Sequence, residues 1–415
     1  SKLLHCVKTI KSKRILVNFC ALEGILIKMI RDMVFNSDRL KKARIYRGLT
    51  VAELADKIGC QRQTISMYEN KKILTPDKLV IQKLSSVLMF PIKYFYEDDR
   101  DVNIGATYFR SLLTTNKKYR SEQIQKIEFV SRIYDFLSDY VTFPKLNLPQ
   151  IDENATPEEA ANALRIHWGL GDKPIQNVVY ETEQHGIIVT SFDTTTNDID
   201  AFSQYINNGE NDLYIVGYSS NKTSASRIHF DIAHELGHIC LHDWSEDLES
   251  LTKEEFKDRE QEAHNFASAF LLPETSFTKD VIRNPKSIPY YIQLKSKWKV
   301  SISAMIRRSF NLGLITYDEY QMLYRILQRR GMRKTEPLDD SLITASPSLL
   351  KASVQLLLEE KIFTPKEFVD ELSFSYDLSL FPDEIEHLLN LPKGTLNYSK
   401  VLPSINLHLK NSSFE

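Results

Sequence analysis

The residues best placed to do chemistry are His234, Glu235 and His238, in the run His-Glu-Leu-Gly-His within a stretch from Arg227 to His242 that reads as a helix. At 3.6 residues per turn, side chains four apart lie one above the other, so the two imidazoles converge on a common point and form a two-toothed metal clamp. Glu235 stands one step round from His234. It is displaced from the ligand axis but can reach a water beside the metal, where a general base for hydrolysis must sit. Two histidines and a glutamate at this spacing make up the zinc-peptidase signature. Ile232, Ala233, Leu236, Ile239, Cys240 and Leu241 cover most of the remaining helix surface, which places the helix in a core. Ionisable groups in such a helix need partners, and a metal supplies one.

A zinc site for hydrolysis takes three protein ligands and keeps a fourth position for water; two histidines and a glutamate are one established set. The third ligand must come from another element. A second helical stretch, Arg259 to Leu272, ends at Pro273, through which a helix does not continue, and it offers Glu260 and Glu262. Phe266, Ala267, Phe270 and Leu271 form its apolar stripe. Counting turns back from Ala267 and Phe270 passes through Ala263 and His264 to Glu260, whereas Glu262 aligns with Phe266 and lies further round. Glu260 is therefore the expected ligand; the alternative is that both glutamates are solvated and the helix only packs.

Arg227, His-Glu-Leu-Gly-His and Leu-His242, followed by Glu260-Gln-Glu-Ala-His-Asn-Phe-Ala and Leu-Leu-Pro273, resemble the ImmA/IrrE family of bacterial metallopeptidases, with both motifs in the family's order and separation. The resemblance implies one Zn2+ per chain, held by His234, His238 and Glu260, with Glu235 as the catalytic base. The family usually carries Asn or Asp where His264 stands, so His264 is expected to pack or to support a ligand. Oxyanion stabilisation stays open among Arg227, His264 and a tyrosine such as Tyr180. His242 lies one turn beyond His238, too nearly in line with both imidazoles to complete a tetrahedron, and a structural role is expected for it.

Upstream, residues 37–70 read as three short helices, with Thr50 and Glu53 as a capping box and Gly59 supplying a tight turn. Leu40, Ala43, Leu54, Ala55, Ile58, Ile65 and Tyr68 fall at helical core spacing, and the pattern resembles the Cro/repressor-type helix-turn-helix of the XRE family. The third helix is expected in the major groove, exposing Gln61, Arg62, Gln63, Ser66 and Met67. Arg prefers guanine and Gln adenine, so Arg62 and Gln63 are the expected readers of base edges, while Lys71 and Lys72 suit phosphates. The alternative is a module that docks another protein. Charge favours the first: residues 1–100 carry 20 Lys and Arg against 10 Asp and Glu, and the remaining chain 33 against 45.

With 415 residues, 42% apolar and 26% charged, the chain has core enough for two or three domains. Four cysteines stand far apart without a C-x-x-C pair, which fits a reducing cytoplasm and implies neither disulfides nor a cysteine zinc site. The apolar run after Lys11–Arg14 is broken by Glu23 and Lys28 and lacks a small-x-small cleavage site, so secretion is not expected, and no run has the ~18 apolar residues of a membrane helix.

The expected fold is multidomain and mainly α with a small β-sheet. Its parts are a 1–35 extension of unknown role, a five-helix helix-turn-helix over 36–100, a helical linker over 101–149, a zincin-like α+β metallopeptidase domain over 150–287, a helical helix-turn-helix-like subdomain over 288–335 and a helical appendage over 336–415. Gly186–Thr190 and Asp212–Gly217 read as strands, and Asp200–Ser203 as a turn lining the cleft. The resemblance implies a DNA-bound regulatory endopeptidase that cuts a repressor-type protein, derepressing stress-response, defence or mobile-element genes. The rival is a transcription regulator or antitoxin whose peptidase-like domain senses a ligand or docks a partner with little proteolysis. Paired DNA half-sites would make the chain a homodimer, and no membrane partner is expected.

Overall fold

The computed structural model describes residues 34–70, 75–99, 103–109, 117–193, 201–207, 212–221, 224–244 and 251–397. The architecture is multidomain and mainly α. The helix-turn-helix consists of α1 (Ser37–Tyr46), α2 (Val51–Ile58), α3 (Arg62–Glu69), α4 (Lys78–Leu88) and a 3-10 turn (Ile92–Tyr96). Thr50 and Glu53 exchange both bonds of a capping box at the start of α2, and Gly59 ends it in the left-handed region at φ 77°. Leu40, Ala43, Leu54, Ile65, Leu84 and Leu88 are buried at its centre. The first 33 residues, and with them most of the 1–35 extension, lie outside the described residues.

The segment expected as a helical linker does two things. It supplies α5 (Lys117–Ser138), and it also contributes the strand β1 (Asn103–Phe109), which joins the sheet of the downstream domain. A purely helical linker is thus corrected at 103–109. The sheet runs β1-β3-β4-β2, with β2 (Ile188–Phe192), β3 (Ala201–Asn207) and β4 (Asp212–Ser219). β3 lies antiparallel to β1 and β4, and β2 is parallel to β4. Residues 201–203, expected as part of a turn, open β3 instead, because the ladder to Tyr218, Gly217 and Val216 satisfies their backbone. Gly186 (φ 83°) turns the chain into β2 from α7 (Val178–Gln184); a Cβ there would stand 2.4 Å from the backbone nitrogen of Leu146.

The two faces of the sheet bury two different cores. Side chains alternate along a strand, so Ile188, Phe192, Phe202, Ile206 and Ile215 face a core built from the helix-turn-helix, α5 and the C-terminal helices α14 (Leu349–Glu359), α15 (Pro365–Ser375) and α16 (Pro382–Leu388). Val189, Ala201, Val216 and Tyr218 face the other, formed by α6 (Pro157–His167), α7, α8 (Ala225–Leu241), α9 (Lys253–Leu271), α10 (Glu274–Val281), α11 (Ile288–Trp298), α12 (Ile302–Asn311) and α13 (Tyr317–Arg329). In the helix-turn-helix-like segment, Arg308 of α12 is buried in a bidentate pair with Glu158, at 2.7 and 2.5 Å. Among the described residues no helix is long and apolar enough to cross a membrane.

Candidate metal centre and DNA-reading helix

Both helices of the metal centre are set by local rules. Thr252 caps α9 in a box with Glu255, and the helix runs on until Pro273 forbids its continuation. α9 lies along α8. The approach is close because residue 237 is glycine: a Cβ there would meet Ala263 Cα at 3.0 Å and its carbonyl oxygen at 3.1 Å. That fit brings Glu260 of α9 against His234 and His238 of α8, and these three form a cluster whose ligand atoms suit a cation. Nε2 of His234 and Nε2 of His238 are 3.1 Å apart, and the Glu260 carboxylate stands 3.3 Å from the first and 3.2 Å from the second.

The triangle passes a simple test of fit. Ligand bonds of 2.0–2.1 Å in a tetrahedron set its edges at about 3.4 Å, and the observed edges fall within a few tenths of that. Glu260 Oε1 is buried, and Nε2 of His238 lies 3.2 Å from it, as two ligand atoms of one cation would. Burial alone would push the Glu260 carboxyl up, but the two imidazoles outweigh it and hold it down at about 2. The group is thus ionised, as metal ligation requires.

Around the triangle lie residues that sequence reasoning placed differently or missed. Glu235 is wholly buried, and the hydroxyl of Ser203 donates to its Oε2 at 2.5 Å. Ser203 belongs to β3, whose alternation turns Ala201 and Ser203 towards α8; read as a strand, the segment would have revealed it. His242 caps α8 with Nδ1 2.9 Å from Nδ1 of His238, and its Nε2 is 3.1 Å from Oε2 of Glu262. Glu262, passed over as a ligand, therefore anchors a two-imidazole chain that ends at one. Burial, then the neighbouring His238, lowers the His242 imidazole to about 2, which keeps it neutral. His264 packs on the Phe230 ring at 5.0 Å and, with Arg227 and Asp231, lines a cavity of about 330 Å³. Arg227 is half exposed, 3.9 Å from Asp231, and Tyr180 is half exposed on α7.

In the helix-turn-helix, Gln61, Arg62 and Gln63 are exposed at the start of α3, while Ser66 and Met67 are half-buried and Lys71 and Lys72 lie outside the described residues. Ile65 and Tyr68 turn inward. Arg44 of α1 grips Glu69 of α3 with two bonds, at 2.6 and 2.8 Å, which fixes the recognition helix against its neighbour. Lys118 of α5 reaches Glu53 at 3.1 Å and shares a cavity with Arg62 and Thr50.

Comparison with known proteins agrees with this division. The sequence model of the IrrE N-terminal-like domain (Peptidase_M78) matches residues 182–310, and that of a helix-turn-helix (HTH_3) matches residues 40–95. The uncharacterized HTH-type transcriptional regulator RghRB of Bacillus subtilis (strain 168) is 31% identical over 123 residues, spanning 24% of this chain and 88% of RghRB.

Proposed function

The chain belongs to the XRE-type helix-turn-helix regulators and joins that module to an IrrE/ImmA-like peptidase domain, and from this we propose that it is a DNA-binding zinc endopeptidase that cuts a repressor-type regulator. The observation that carries the reading is the triangle of His234, His238 and Glu260 with Glu235 one step along the same helix. The chemistry zinc supplies when bound is Lewis acidity, which brings the pKa of water toward neutrality. Glu235 takes a proton from the attacking water as the new C–O bond forms at the peptide carbonyl. It returns that proton to the amine nitrogen as the C–N bond breaks. Ser203, bonded to Oε2, sets the rotation of the Glu235 carboxylate.

Arg62 and Gln63 reading base edges would place this activity at a promoter, in the cytoplasm, and a dimer would read paired half-sites. Cutting the repressor would derepress the stress-response, defence or mobile-element genes it controls. The rival reading, a regulator whose peptidase-like domain senses or docks, draws on the complete burial of Glu235 and His238.

One experiment separates them. The purified chain is expected to hold one zinc and to make a single discrete cut in a helix-turn-helix repressor encoded beside it. The Glu235→Gln variant should keep the zinc and lose the cut. A zinc-loaded wild type that leaves such repressors whole would favour the sensor.

A further inference from the structure

β2, β3 and β4 come from one stretch of the peptidase domain, residues 188–219, whereas β1 is brought to their sheet from residues 103–109, between the two regions that the family comparisons match. Without β1, β3 would be an edge strand. An edge presents N–H and C=O groups onto which an extended peptide adds as one more strand. This edge runs past the reactive groups, because β3 carries Ser203, the residue bonded to Glu235. In the β1–β3 ladder, Tyr108 stands opposite Ser203 and Phe109 opposite Phe202. Residues directly opposite in antiparallel strands have Cα atoms about 5 Å apart, so the connector backbone passes beside the residue that holds the base.

We infer that the chain's own connector, residues 103–109, is seated on this edge as a substrate mimic, in the place an extended peptide backbone would take. The inference rests on the peptidase reading and gives it a substrate class: an extended, uncharged segment like Asn-Ile-Gly-Ala-Thr-Tyr-Phe, the stretch that follows the helix-turn-helix in this chain. The pairing suits an occupant that can leave. β3 and β4 pair without interruption from Ala201↔Tyr218 to Asn207↔Asp212, but the β1–β3 register shifts between Ile104 and Thr107. Such a shift leaves backbone groups out of the ladder. Tethered at both ends, the connector competes at an effective concentration on the order of mM. A substrate in trans reaches the edge only when the connector vacates it.

The test uses the full zinc-loaded chain, a fluorescent synthetic peptide Asn-Ile-Gly-Ala-Thr-Tyr-Phe, and labelled casein as an unstructured substrate. Thr107→Pro/Tyr108→Pro places prolines at two adjacent positions, one of which points its N–H at β3, and should lift the connector off the edge. The peptide is expected to bind this variant at least tenfold more tightly than wild type, and the variant to cut casein at least tenfold faster. Equal peptide binding by both proteins overturns the inference, and if both also cut casein equally, proteolysis survives without it. Selective peptide binding by a variant that cuts nothing supports the edge assignment and removes the proteolytic reading instead. The wild-type chain gives an independent readout by amide hydrogen exchange: residues 103–109 should exchange at least tenfold faster than Asp212–Ser219. Equal protection would make β1 a permanent strand and overturn the inference.

Discussion

Glu262 decides which nitrogen of His238 faces the ligand triangle. An ionised carboxylate only accepts, so the 3.1 Å contact makes His242 Nε2 the donor and leaves its Nδ1 bare. His242 Nδ1 then accepts from Nδ1–H of His238, and the Nε2 of His238 carries the lone pair a metal needs. His242→Ala is therefore expected to weaken zinc binding by about 10- to 100-fold, and Glu262→Gln by less, read by competition with a chelating indicator; unchanged affinity in both would reduce the chain to packing. Ser203→Ala makes a complementary case. It should lower kcat by about tenfold, a part of the roughly 10²- to 10⁴-fold that a positioned general base contributes, while zinc content stays at the wild-type level, and a loss of zinc instead would assign Ser203 to the fold. His234, Glu235 and His238 could be read together because four-residue spacing within one helix is a local rule. Ser203 and Glu262 were not, since each acts across elements: one through a strand read as a turn, the other through a histidine on a different helix.

At the scale of elements, the close packing of α8 and α9 governs the third ligand. Gly237 is the contact that permits it, and Gly237→Ala must move Ala263 and Phe266 outward by a few tenths of an ångström. Overpacking of this kind costs about 1–3 kcal/mol. The displacement falls one turn from Glu260, so zinc affinity should drop together with the unfolding midpoint in urea. A variant destabilised by that amount yet binding zinc as wild type would show that the triangle tolerates a wider helix pair. The face argument singled out Glu260 over Glu262 because α9 has an apolar stripe to count from. No such stripe guides 103–109: its Gly-Ala-Thr centre lacks strand alternation, and its partner lies about a hundred residues away, so β1 was invisible to periodicity.

At the scale of the whole molecule, the C-terminal helices, for which sequence offered no role, close the core of the DNA-reading module. Arg39 of α1 donates to the Asp377 carbonyl at 2.7 Å, Arg47 pairs with Glu384 at 2.6 Å, and Glu97 accepts the Ser379 amide at 3.0 Å. Phe136 of α5 packs its ring 4.9 Å from Phe368 of α15, and both belong to the core that holds Leu40 and Leu84. Contacts that span some three hundred residues leave no trace in local spacing, which is why amphipathic periodicity found these helices but not their partner. A shared core has a consequence that separate domains lack: a cavity cut at one end should loosen the other. Leu372 is fully buried on α15, and Leu372→Ala is expected to cost about 2–5 kcal/mol. If the core unfolds as one unit, amides of α1 and α4 will exchange faster by the same factor as those of α15, although no residue of the helix-turn-helix has been changed. Faster exchange confined to α14–α16 would mean that the appendage opens by itself, leaving the DNA-reading helices to fold without it.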